Sequence, residues 1–192
     1  VETPPAYSPA AQTVVVASRD LYVHAVDAGS GARRWRVKPT PRQPGDPYDP
    51  EDDPKGDLGY AEVKNGWPVI AEQHGLVFIR YRLHWQSLWN FNPDNLQNNS
   101  QIRQFFLNNR SDQPLFALRL SNGSEAFIPN VGNGGFGDGG YLPMGPMPVI
   151  ARLADGKEAA YIVVRAGPCA AEPCDSRWDS HLGELMLDGQ TV

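Results

Sequence analysis

No apolar run in this chain approaches the roughly 20 residues that a membrane-crossing helix requires. Basic residues are few, 17 against 22 acidic ones, for a formal net charge of -5. They are also scattered, and the nearest thing to a cluster is Arg33, Arg34, Arg36 and Lys38 around one strand end. Nucleic-acid binding rests on a concentrated basic footprint, so that class is set aside. Cysteine is almost missing. Cys169 and Cys174 are the only two, in Cys-Ala-Ala-Glu-Pro-Cys, and no Cys-x-x-Cys-His occurs, which excludes covalent haem. A zinc site would need two further ligands from a second Cys/His pair, and there is none. The pair reads as a disulfide closing a small loop, and hence as the mark of an oxidising compartment: extracellular, cell-surface or periplasmic. Two free thiols in a cytosolic protein are the alternative. The chain opens Val1-Glu2-Thr3-Pro4-Pro5 with neither Met nor an apolar leader, which reads as a processed or excised product.

Glycine and proline are abundant instead, 19 and 18 of 192 residues. Both break helices and suit short strands joined by many turns. Residues 13–37 show this most legibly. Thr13-Val14-Val15-Val16-Ala17 is a β-branched run, Ser18-Arg19-Asp20 a turn, and Leu21 to Asp27 a returning strand. Ala28-Gly29-Ser30-Gly31 makes a second turn, and Ala32 to Val37 a third strand around Trp35. Three strands joined this tightly predict an antiparallel meander.

The unit recurs. The segment from Ala25 to Trp35 aligns without gaps on Ala117 to Phe127, with Ala25 on Ala117, Gly31 on Gly123 and Trp35 on Phe127, all 92 residues apart. Trp67-Pro68-Val69-Ile70-Ala71 likewise returns as Met147-Pro148-Val149-Ile150-Ala151, 80 residues on. Two self-matches in the same order describe one four-strand unit interrupted by insertions. The expected fold is therefore all-β: antiparallel four-stranded blades of a β-propeller, about two and a half to three of them in a single partial domain. Blade 1 is expected at about 7–37, blade 2 at about 67–129 and an incomplete blade 3 at about 147–192. An acidic, proline-rich loop occupies 38–66, an insertion 83–114 interrupts blade 2, and a glycine-rich loop fills 130–146. Ile102, Phe105 and Phe106 at helical spacing predict one short helix over 100–108.

Ala25-Val26-Asp27, followed two residues later by Ser30-Gly31 and three after that by Trp35, resembles the blade signature of the PQQ-like, quinoprotein-type propeller repeats. Gly31 lets the hairpin turn, Ala25 is small where strands crowd, and Trp35 is a flat plate for packing between blades. The match weakens in the second unit, where Arg119 replaces the Asp and Phe127 the Trp. Such repeats occur in quinoprotein alcohol dehydrogenases and in non-catalytic scaffolds, so the resemblance implies the propeller and no reaction. The dehydrogenases hold PQQ against a disulfide of adjacent cysteines beside a calcium ion. Here four residues separate Cys169 from Cys174. Closed propellers usually have at least four blades, so further blades or another polypeptide are expected to complete the ring.

Other patterns tempt. Gly132-Asn133-Gly134-Gly135-Phe136-Gly137 spells a dinucleotide fingerprint, but Asp138 to Pro143 cannot open the helix that would hold the pyrophosphate. Gly134, Gly135 and Tyr141 remain candidate contacts in an inter-blade loop. Asp46, Asp49, Asp52 and Asp53 could offer oxygens to calcium, against the plainer reading of a solvated acidic loop. Asp179, Ser180 and His181 with Glu184 could seed acid–base chemistry, against a surface hairpin. Trp85 and Trp89, with Phe91 and Tyr81 nearby, could stack a sugar or could pack the insertion onto its blade. The preferred function is a non-catalytic exported scaffold or binding module that needs no cofactor. The alternatives are part of a PQQ- and calcium-dependent oxidoreductase, or a carbohydrate-binding module.

Overall fold

The computed structural model describes residues 3–43, 63, 66–81, 99–129, 131, 147–165 and 180–188. Within them the chain forms three antiparallel sheets in succession. The first runs β1 (Ala6–Ser8), β2 (Thr13–Ala17), β3 (Val23–Asp27) and β4 (Arg33–Val37), each paired with the next. The second repeats that order with β5 (Val69–Ala71), β6 (Leu76–Arg80), β7 (Leu115–Arg119) and β8 (Glu125–Phe127). The third pairs β9 (Val149–Arg152) and β11 (Ser180–Leu185) with the central β10 (Glu158–Arg165). One helix, α1 (Asn99–Asn108), and a 3-10 turn at Arg110–Asp112 lie in the insertion of the second sheet.

The first sheet has a strand that the meander over 13–37 did not include. β1 is three residues long between Pro5 and Pro9, too short for alternation to show in the sequence. Leu21, read as the start of a strand, is instead a turn residue at φ 63, held by its N–H to the Ser18 carbonyl at 2.9 Å. The 92-residue repeat becomes a repeat of hydrogen bonds. Gly31 N donates to Asp27 O and Asp27 N to Ala32 O, while Gly123 N donates to Arg119 O and Arg119 N to Ser124 O.

Strand alternation gives each sheet two faces. From the first sheet Val15, Ala17, Val23, Ala25 and Trp35 point one way, into a core shared with Val77, Ile79, Tyr81, Phe116 and Leu118 of the second. The second sheet's other face, with Ala71, Phe78, Leu115 and Ala117, shares a core with Ala160, Ile162 and Leu185 of the third. The sheets come nearest one another at their first strands, β1 to β5 and β5 to β9. They therefore splay outward from those strands as blades do from a propeller axis. Three blades of a β-propeller, stacked in chain order, are the result.

Glycine is needed at two turns for different reasons. Gly75 sits at φ 59 with open space around its α-carbon, so alanine there meets only left-handed strain, about 1–2 kcal/mol. At Gly123, φ 75, a β-carbon would lie 2.7 Å from Trp35 Cε3 and 2.9 Å from Val37 Cγ1. In urea denaturation Gly123→Ala should therefore lose clearly more stability than Gly75→Ala. Equal losses would mean that Trp35 does not rest on that turn in solution.

Candidate functional site

The chemistry of the described residues concentrates along the seams between blades. In the first seam Trp35 lies against the Gly123 turn, and its indole Nε1–H donates to the Leu120 carbonyl at 2.8 Å. Tyr81, fully buried, donates its hydroxyl to the carbonyl of the left-handed Leu21 at 2.8 Å. Burial pushes the Tyr81 phenol far above its ordinary pKa, so it stays a donor at every working pH. Near the axis Ser8 Oγ donates to Glu72 Oε2 at 2.8 Å. Farther along, Arg42, beyond β4, meets Asp112 of the 3-10 turn at 3.2 Å, with both side chains under a tenth exposed. On the other face of β6, the face of Leu76 and Phe78, burial lowers the Arg80 guanidinium to about 10, which leaves it charged at neutral pH.

The second seam uses other groups. Glu158 Oε2 accepts the Gln73 backbone N–H at 2.9 Å and lies 3.1 Å from His74 Nδ1, which places the imidazole proton on that nitrogen. Gln73 Nε2 donates to the Gly156 carbonyl at 2.8 Å. Phe127, at the place of Trp35, packs half-buried against this core and has no N–H to offer.

The signature residues are mainly turn and packing groups. Ala25 and Ala117 are fully buried. Asp27 Oδ1 accepts Gly29 N, Ser30 N and Ser30 Oγ at 2.8–3.1 Å, and Oδ2 accepts Arg34 at 2.7 Å. The Arg34 bond first, then the Ser30 bonds, hold its carboxyl well below the usual carboxylate range. In the second unit Arg119 cannot play that part. Asn122, at the place of Ser30, secures the turn by accepting Ser124 N at 2.9 Å.

A polar cluster on the outer face of blade 1 was not foreseen. Ser18 Oγ lies 3.0 Å from His24 Nε2 and bonds to the Asp20 carboxylate, while Arg36 reaches Asp20 at 3.0 Å and stacks over Tyr22 at 3.6 Å. The Ser18 bond foremost lowers the Asp20 carboxyl, and burial lowers His24. The letters are those of a nucleophile, a base and an acid, but the wiring is wrong. A hydroxyl has one proton, and the carboxylate takes it, so His24 Nε2–H donates to Ser18 Oγ and cannot serve as its base. Only strand pairing brings these residues together with Arg36, which no local motif could have announced.

Several sequence candidates separate or drop away. Tyr81 is fully buried and cannot stack a sugar. Positions 181 and 184 have opposite parity in β11, so they belong to opposite faces of the sheet. Trp85, Trp89, Gly134, Gly135, Tyr141, Asp46, Asp49, Asp52, Asp53, Cys169 and Cys174 lie outside the described residues. Among the described residues no three His, Cys, Asp or Glu side chains gather as a metal site.

No protein-family model and no curated protein matches the sequence. Among solved structures, quinohemoprotein alcohol dehydrogenases from Comamonas testosteroni and from Pseudomonas putida are similar to the chain at 15% and 14% identity, each with a TM-score of 0.37. Each match covers 83% of this chain and 24% of the other, so the chain spans only that smaller share of the dehydrogenases' length.

Trp35→Phe keeps a ring in the seam but strands the Leu120 carbonyl, and should cost about 1–3 kcal/mol in denaturant unfolding. The Asp27 effect has a definite sign. Its folded pKa is depressed, so its stabilisation is full above the ordinary carboxylate value of about 4 and is lost as pH falls from there through the lower native value. The stability gap between wild type and Asp27→Ala, measured by thermal unfolding, should thus narrow below that pH. A gap that stays constant from neutral pH down into strong acid would contradict it.

Proposed function

We propose that this chain is a non-catalytic β-propeller segment of an exported or surface protein, a scaffold or binding module completed by further blades or another polypeptide. The observation that carries this reading is the outward face of blade 3. Val149 is 65% exposed, Leu182 73% and Met186 38%, whereas the residues of the inter-blade cores are buried. Leu182 pairs with Val163 and Val149 with Tyr161, so they share one face of the sheet, the one turned away from blade 2. Covering each such side chain is worth about 1.5–3 kcal/mol, a strong incentive for a partner surface.

PQQ with calcium is the group that the repeat resemblance implies for a catalytic relative. Four residues separate Cys169 from Cys174, so the sequence lacks the adjacent pair that such enzymes hold against the quinone. The polar cluster at Ser18 and His24 is wired for structure, which also supports a binding role. The export half of the reading rests on the close cysteine pair.

Equilibrium titration with PQQ in excess calcium should show no saturable quinone absorbance change. Saturable binding would replace the scaffold with the oxidoreductase. Intact mass without reductant should show the loss of two hydrogens expected for a Cys169–Cys174 disulfide, and free thiols would remove the argument for export.

A further inference from the structure

We infer that the outer face of blade 1 is a seat for an indole. Its occupant is the tryptophan-bearing outer strand of another propeller blade, which lays the ring on the Gly31 turn and donates the indole N–H to the Ala28 carbonyl. The inference deepens the scaffold reading, on which it rests, by naming what blade 1 receives and through which atoms.

The first seam shows such a seat filled. There the turn between β7 and β8 carries Trp35 of the blade before it. The ring lies where a β-carbon of Gly123 would be, 2.7 Å from Cε3, and Nε1–H reaches the Leu120 carbonyl at 2.8 Å. The turn between β3 and β4 is the same turn, 92 residues earlier. Gly31 stands at φ 72 against 75 for Gly123. Its N–H bonds to Asp27 O at 2.9 Å, as that of Gly123 does to Arg119 O at 2.8 Å. Ala28 N donates to Gln12 O at 2.9 Å, as Leu120 N does to Gly75 O at 2.8 Å. Residues 28 and 120 thus hold one place in one bonded turn.

The two turns differ in what lies on them. A β-carbon on Gly31 would meet nothing within 4 Å, and no donor reaches the Ala28 carbonyl among the described residues. The surrounding surface repeats as well. Ala25 pairs with Val15 and Ala117 with Phe78, so Val14, Val16 and Val26 hold the places of Val77, Ile79 and Leu118. The latter three are buried in the core shared with blade 1, whereas the valines are only half-buried. A strand seated on them continues the blade stacking already present in the chain. At the far end Ser18 and His24 stand at the places of Tyr81 and Phe116, so that end offers no phenyl ring and the glycine turn is the anchor. Phenylalanine would cover the glycine but leave the enclosed carbonyl without its bond, which selects tryptophan.

The test uses the full chain, isotope-labelled for amide NMR. The probe is a hairpin peptide of residues 23–37, which holds β3, its turn and β4 with Trp35, closed by a disulfide between added terminal cysteines. Titration should move the Gly31 and Ala32 amide resonances upfield in a saturable way, because a ring stacked over an amide shields it. The same peptide with Trp35→Phe keeps every charge and should bind about fivefold or more weakly. In the chain, Gly31→Ala should lower the urea midpoint no more than Gly75→Ala, since both have open space at the β-carbon, yet abolish the shifts. Absence of a saturable shift at Gly31 would overturn the proposal. So would equal affinity of the two peptides, or binding that survives Gly31→Ala. Shifts at Gly31 that grow with chain concentration alone would give the seat to a second copy and overturn it as well. None of these results touches the PQQ titration, so a chain that binds neither hairpin nor quinone loses this inference and keeps the scaffold reading.

Discussion

The joining of the first two blades leans on the contact of one indole with one turn. A sheet of four short strands has too little area to hold together alone, and must bury a face against a neighbour. Trp35 does this for the first pair of blades. Its ring covers Gly123, which has no β-carbon to hold it off, and its N–H satisfies a carbonyl that the packing would otherwise strand. Apolar area and a buried hydrogen bond come from the same side chain. The requirement runs both ways, since the glycine is fixed by the tryptophan as much as by its own positive φ.

Strain elsewhere in that seam is compensated locally. Leu21 takes a left-handed conformation that a branched side chain ordinarily avoids, yet its side chain is fully buried and its carbonyl accepts the Tyr81 hydroxyl. The strain is thus offset by apolar burial and by one bond that neither residue could make with water once enclosed.

The blade unit was legible because its signals are local. β-branched runs, a glycine at a positive-φ turn and a small residue six places before it all lie within a short stretch of chain. The self-match of Ala25–Trp35 with Ala117–Phe127 reappears as paired turn bonds, with Asn122 accepting Ser124 N where Ser30 Oγ accepts Ala32 N. What sequence could not supply was whatever depends on one blade meeting another. Tyr81 looked like part of an exposed aromatic group because its neighbours in the chain are aromatic, but its neighbours in space are Leu21 and Phe116. The Ser18, Asp20, His24 and Arg36 cluster draws on one turn and two strands, and the pairing of His24 with Arg36 completes it. β1 escaped notice because three residues cannot display a period of two.

The seams also fix the order of the repeats. At the second, Glu158 takes its bonds from the Gln73 and His74 of the turn before β6. The corresponding turn of blade 1 is Pro9-Ala10-Ala11-Gln12, with an alanine at the imidazole's place. Blade 1 set directly before blade 3 would give that carboxylate no imidazole to meet, and Ser8 would lose the Glu72 that accepts from it. The three blades share one backbone plan but are not interchangeable bricks. The edges facing each seam are cut to their neighbours, so a gene that set blade 1 directly before blade 3 would encode the same strands and fail to join them.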